Sequence, residues 1–142
     1  MKIAIASDHG GFDLKEKLKS HYAQKGVVFE DLGTHSDESC DYPDIAEKMC
    51  QHILAQKADN GILICGTGIG ISIAANRHQG IRAAVLYTDE VAALARQHNN
   101  ANIAVLGGRT MALQDVIKRI DIFLHTEFEG GRHLRRITKL DK

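Results

Sequence analysis

The sequence predicts an α/β fold: a five-stranded parallel sheet with helices on both faces, an αβα sandwich that ends in a C-terminal helical tail. Three observations carry this prediction. Five short runs rich in β-formers recur along the 142 residues, each is followed by a stretch with apolar residues at three- and four-residue spacings, and the third leads directly into a glycine-rich loop. Strands that alternate with helices pair in parallel, because the helix carries the chain back across the sheet in a right-handed crossover. With 44% hydrophobic positions and one proline, residues 1–142 have the size and composition of a single domain with its own core.

The first strand is predicted over residues 2–6. A polar turn, Asp8-His9-Gly10-Gly11, separates it from a helix over 12–23, in which Leu14, Leu18 and Tyr22 recur every fourth residue. A second strand follows over 27–31 and a helix over 42–55. The third strand, 61–65, ends on Cys65 and runs into Gly66-Thr67-Gly68-Ile69-Gly70, ahead of a helix over 70–77. The fourth strand, 82–86, precedes a helix over 89–98, and the fifth, 103–106, precedes one over 112–125. Gly130-Gly131 then break the chain before Arg132-His133-Leu134-Arg135-Arg136. If that segment is helical, Arg132 and Arg136 stand four apart and point the same way, as a phosphate clamp requires. In folds of this kind ligands gather outside the carboxyl ends of the strands. The turns at 8–11, 65–70, 87–89 and 107–109 are therefore expected on one rim.

Composition excludes several function classes. Lys plus Arg equals Asp plus Glu at 18 each, so a general nucleic-acid binder with a global basic surface is not expected. No apolar run approaches the roughly 20 residues needed to span a bilayer. The start of the chain lacks the pattern of a signal peptide, and Cys40, Cys50 and Cys65 form neither an even set nor a C-x-x-C pair. A cytoplasmic protein with free thiols is the expectation.

The run from Cys65 to Gly70 is the strongest candidate site. Glycines let the backbone turn sharply and aim several N–H groups at one point, and a thiolate beside them is the form such a field favours. The spacing fits neither common nucleotide loop. A dinucleotide fingerprint would need its third glycine at position 71, which is Ile71, and no Gly-Lys-Ser/Thr sequence is present. Each element of the site also has a plain structural reading. Cys65 alone could be a buried space-filler, His98 a cap on the last carbonyls of its helix, and Arg132, Arg135 and Arg136 a solvated basic tail. Asp8-His9 has no second histidine or carboxylate at ligand spacing, so no metal site is expected.

Six segments together resemble the ribose-5-phosphate isomerase B family: Ser7-Asp8-His9-Gly10-Gly11, Asp41-Tyr42-Pro43, Ile64-Cys65-Gly66-Thr67-Gly68-Ile69-Gly70, Arg96-Gln97-His98-Asn99, Gly107-Gly108-Arg109 and Gly130-Gly131-Arg132-His133. They occur in order and nearly end to end. The resemblance implies a Rossmann-like αβα sandwich that interconverts D-ribose 5-phosphate and D-ribulose 5-phosphate, in the pentose phosphate pathway, without metal or organic cofactor. It implies Cys65 as the base at C2, His98 as the ring-opening acid, and Thr67 as a proton relay between the two oxygens of a cis-enediolate. The amides of Gly66 to Gly70 would stabilise that anion, with Gly66, Gly68, Ile69 and Gly70 as substrate contacts. Asp8, His9, Tyr42, Asn99 and Arg109 are the implied sugar contacts and Arg132 and Arg136 the phosphate ligands, while Arg135 has no counterpart.

One branch of the family places a glutamate just after the last loop glycine; that position is Ile71 here, which favours the cysteine mechanism. Family active sites are shared across a dimer interface, which implies a homodimer or a pair of dimers, with no nucleic-acid or membrane partner. Two alternatives accompany this reading: an isomerase for a hexose 6-phosphate of the allose or galactose type, and a non-catalytic sugar-phosphate-binding module on the same fold.

Overall fold

The structure, a computed structural model, describes residues 1–141; the last residue of the predicted tail, Lys142, lies outside them. Its sheet is parallel throughout, with strand order β2-β1-β3-β5-β4. The strands are β1 (Ile3–Ser7), β2 (Glu30–Asp31), β3 (Asn60–Cys65), β4 (Ala83–Val85) and β5 (Ile103–Gly107). The helices are α1 (Phe12–Ala23), α2 (Tyr42–Leu54), α3 (Ile69–Ala75), α4 (Asp89–Gln97), α5 (Leu113–His125) and α6 (Arg132–Thr138). Short 3₁₀ turns cover His9–Gly11 and Lys139–Asp141.

Alternation along the central strands builds two cores, because successive side chains of a strand point to opposite faces. Ile3 and Ile5 of β1, Ile62 and Ile64 of β3, and Ala104 and Leu106 of β5 meet α1, α4 and α5 on one face. Ala4 and Ala6, Leu63 and Cys65, and Ile103 and Val105 meet α2 and α3 on the other. A continuous apolar run buried on both sides is the signature of a parallel sheet. The order of strands places β1 beside β3, with the chain leaving them in opposite directions, so the turns that follow these two strands mark the topological switch point of the sheet.

Prediction and structure differ at the sheet edges. The strand expected over 27–31 pairs with β1 only at Glu30 and Asp31, and Val28 is 84% exposed. Outer strands have one neighbour, so two valines there are not held in the ladder by packing. The fourth strand likewise shortens to three residues at the opposite edge, while α1 has the predicted bounds.

One buried lysine secures the β2 edge. Lys15 is fully buried, and its ammonium meets Asp31 at 2.5 Å and Glu16 at 3.0 Å, with Lys19 adding a second contact to Asp31 at 2.8 Å. Burial works against the Asp31 charge, but the hydrogen bonds from Lys15 and Lys19 override it and hold the carboxyl below its ordinary range. Asp31 also accepts the Gly33 N–H at 2.9 Å, and the 33–34 backbone exchanges hydrogen bonds with Ser7 at the end of β1.

The first turn packs so closely on β3 that a Cβ on Gly11 would lie 2.6 Å from Ile64 Cγ2 and 2.7 Å from the Ile64 carbonyl oxygen. Gly11→Ala should therefore destabilise by about 2 kcal/mol or more, as expected when a rigid site is overpacked. Gly61→Ala, whose Cβ would meet the flexible Met49 thioether at 2.6 Å, should cost less. Urea unfolding of both variants checks this, and equal midpoints would contradict it.

Candidate active site

Four turns predicted to share a rim do so. Asp8 caps the first turn by accepting the Gly11 N–H at 3.2 Å, and the backbone of this turn lies against those of two others. A Cβ on Gly10 would stand 3.1 Å from the Gly66 nitrogen, and one on Gly108 would stand 2.6 Å from the Gly10 carbonyl oxygen. The approach at Gly108 excludes a side chain, and the one at Gly10 is tighter than ordinary van der Waals contact. Hydrogen bonds from the Gly108 N–H to Cys65 O (2.8 Å) and from the Arg109 N–H to Gly66 O (2.9 Å) join the turn after β5 to the loop after β3. The turn after β4 is brought in by a cavity that Thr67, Ile69, Tyr87 and Thr110 line together.

Cys65 ends β3 and is 5% exposed. Its sulfur accepts the N–H of Gly68 at 3.1 Å, so the loop places a donor directly on it. Gly68 takes φ +83°, the left-handed conformation that closes this turn without a Cβ clash. Ile69 donates its N–H to Thr67 Oγ1 at 3.1 Å. Two of the five amides expected to stabilise an oxyanion, those of Gly68 and Ile69, are therefore already engaged inside the loop. Tyr42 packs over Gly70, where a Cβ would lie 2.8 Å from its ring, and Arg109 reaches over Gly66. His9 accepts the Cys40 N–H on Nδ1 at 3.2 Å, which leaves the neutral ring with its proton on Nε2.

The remaining predicted residues lie at the other end of the sheet. Helix α4 starts at the rim and runs back, so its C-cap, His98, and the following Asn99 sit where β5 begins, whereas Cys65 pairs with Gly107 where β5 ends. Four strand steps of about 3.3 Å separate those levels, roughly 13 Å. The Asn99 carbonyl accepts from Arg82 Nε at 2.9 Å, just ahead of β4. Helix α6 joins this second group: the Glu129 N–H donates to the Gln97 carbonyl at 3.1 Å, and the His133 ring stacks on His98 with centroids 4.2 Å apart. Arg132 and Arg136 are exposed beside them. One chain thus gathers the predicted residues into two separate groups, one around Asp8, His9, Tyr42, Cys65 to Gly70 and Arg109, the other around His98, Asn99, Arg132 and Arg136.

Three residues of the second group, His133, Glu129 and Arg96, received no role from the sequence. His133 is buried with the Glu129 carboxylate 3.6 Å from its Nε2, and Arg96 lies in the last turn of α4. Arg96 donates to Thr126 O at 3.2 Å and Asn100 Oδ1 at 3.0 Å, binding the end of α4 to the segment before α6. A signal was present, since His133 and Ile137 are four apart and alternate with the exposed Arg132 and Arg136. Ligand atoms of His98, Glu129 and His133 lie within 4.8 Å of one another, a convergence that linear spacing did not disclose. The two rings are only 13° from parallel, however. Imidazole lone pairs lie in the ring plane, so stacked rings do not aim at one ion, and this arrangement is not a metal centre.

The ribose/galactose isomerase family profile matches residues 3–140. Ribose-5-phosphate isomerase B of Escherichia coli is 44% identical over 136 residues, covering 96% of this chain and 91% of that protein. A ribose 5-phosphate isomerase from Thermotoga maritima superposes with TM-score 0.96 at 58% identity, covering 99% and 97% of the two chains. The ribose-5-phosphate isomerase B of Mycoplasma genitalium, solved with bound ribulose-5-phosphate, superposes with TM-score 0.86 at 44% identity, covering 98% and 93%.

Burial, and then the charges of His98 and Arg132, push the His133 imidazole below the ordinary 6.5 of a histidine. A depressed histidine is neutral when folded yet binds a proton when unfolded, so its contribution to stability is present above 6.5 and lost as pH falls through the folded value. Proton NMR should show His133 titrating below an exposed histidine, and His133→Phe should flatten the acid side of the stability profile; an unchanged slope would contradict the assignment.

Proposed function

This chain belongs to the ribose/galactose isomerase family, and from that membership we propose that it interconverts D-ribose 5-phosphate and D-ribulose 5-phosphate. The observation that carries the chemistry is the placement of the Cys65 sulfur at the end of β3, fixed by the Gly68 N–H at 3.1 Å, beside the glycine loop and the exposed Thr67 hydroxyl.

The sugar phosphate rests as a closed ring, so the first step is protonation of the ring oxygen, for which an imidazole at His98 is suited. Cys65 then takes the proton from C2 as the aldehyde becomes a cis-enediolate. Negative charge that develops on oxygen meets the loop amides, with Gly70 foremost because the Gly68 and Ile69 N–H groups are committed elsewhere. The exposed hydroxyl of Thr67 relays a proton between the two oxygens, and Cys65 returns its proton to C1. Asp8 and His9 hold sugar hydroxyls, Tyr42 closes the pocket beside Gly70, and Asn99 and Arg109 add further contacts. Arg132 and Arg136, one helical turn apart, take the phosphate. The one heavy-atom bond that breaks is the ring C–O bond, as the C1 hydroxyl gives its proton to solvent and becomes the aldehyde; every other step is a proton transfer.

The active site of this proposal is completed by a second copy of the chain. Its support is the placement of Cys65 and His98 at opposite ends of the sheet, with apolar Ile69 and Ile73 on the outer face of α3 and Leu134 on α6 more than half exposed. In a twofold dimer the Cys65 half-site of one subunit faces the His98 half-site of its partner. A homodimer, alone or doubled into a tetramer, is the proposed assembly. A cytoplasmic location and a place in the pentose phosphate pathway follow from the substrate and from three unpaired thiols.

Cys65→Ala should keep substrate binding and lose turnover of ribose 5-phosphate by about three powers of ten or more, as removal of the only carbon base requires. Near-normal turnover would exclude Cys65 as base, and strong preference of the native enzyme for allose 6-phosphate would exclude the pentose. Co-refolding inactive Cys65→Ala with inactive His98→Gln should restore roughly a quarter of native activity, since half the dimers are mixed and each has one intact site. A mixture that stays inactive would show each site to be built within one subunit.

A further inference from the structure

The His98 ring forms no hydrogen bond among the described residues, yet an acid that delivers a proton to a ring oxygen must be held in a fixed plane. Another ring supplies that plane. His133 lies parallel to His98, with centroids 4.2 Å apart and planes 13° from parallel. Unlike His98, it is 6% exposed, and its Nε2 is buried without a hydrogen-bond partner. Ile137, one turn further along α6, is buried on the same face. Below it, the Glu129 N–H and Arg96 tie the segment before α6 to the last turn of α4, so His133 and His98 are mounted on a single support.

We propose that His133 is a positioning residue for the isomerisation, a buried flat surface against which the His98 imidazole is held with its nitrogen-bearing edge free for substrate. The inference rests on the reading of His98 as the ring-opening acid. Stacking fixes a ring plane and leaves the edge open, whereas a hydrogen bond would occupy one of the nitrogens. The nitrogens of His133 itself are not needed: Nε2 stands 3.6 Å from Glu129 Oε1, beyond hydrogen-bond length. Burial also keeps His133 neutral, so the stack sets no second positive charge against His98.

The test compares His133→Ala with His133→Phe, using ribose 5-phosphate that carries deuterium at C2. Loss of the flat surface in His133→Ala should lower kcat roughly 10- to 100-fold, the usual cost of misplacing a reacting group by about an ångström. The isotope effect should fall toward unity, because ring opening then limits the rate in place of C2 proton removal. His133→Phe restores the surface without the nitrogens and should keep kcat within about threefold of native, with the isotope effect intact.

Native kcat in His133→Ala, a lowered rate with an undiminished isotope effect, or an inactive His133→Phe would each overturn the proposal. Should His133→Ala fail to fold by circular dichroism, His133→Phe decides alone; its own failure to fold would count against the proposal, as Nε2 has no hydrogen bond to lose. An error in the reading of His98 would look different, since His98→Gln would then turn over ribose 5-phosphate at the native rate.

Discussion

The rim of this molecule depends on backbone touching backbone where three glycine turns meet. Gly10, Gly66 and Gly108 come from turns after β1, β3 and β5, and a side chain on Gly108 would collide with the Gly10 carbonyl while one on Gly10 would crowd the Gly66 backbone. Such contact leaves no slack. It sets the level at which Asp8 projects and the direction in which the 65–70 loop leaves β3, and it draws Arg109 across Gly66. Behind it, the Lys15–Asp31 pair fastens the 33–34 segment to the end of β1. A buried ion pair of this kind is a weak source of net stability and a strong source of geometry, because breaking it strands a charge.

The direction of α4 has an effect of similar weight. A helix that follows a parallel strand must run back toward the strand's beginning, so whatever stands at its C-terminal end is carried away from the rim. His98 stands there. Helix α6 then returns along the same end of the molecule, and it supplies the guanidinium groups and the buried imidazole that accompany His98. Reactions that need a base and an acid on opposite sides of a substrate suit such a division, provided two copies of the chain face each other.

Much of this was legible in the sequence, for physical reasons that differ by residue. Central strands read clearly because both faces are buried, and the helices because α1, α2 and α5 each repeat an apolar position every three or four residues. The 65–70 loop was legible because glycine at alternating positions has few structural uses. Val27 and Val28 misled because β-propensity reflects packing that an edge strand lacks. His133 received no role from the sequence because α6 has only seven residues, so its spacing to Ile137 is a single repeat, and because its partner His98 is remote in sequence. The hydrogen bonds that the Gly68 and Ile69 amides make within the loop were not legible, since only geometry discloses them.

The half-sites at opposite ends of the sheet make catalysis, in the proposed dimer, a property of subunit concentration. A folded subunit in isolation would hold a base without an acid, and an acid without a base. Specific activity would then fall on dilution through the dissociation constant of the pair while every chain remained native. Sugar-phosphate, by bridging the two copies, would itself draw them together, so that flux and assembly rise in step.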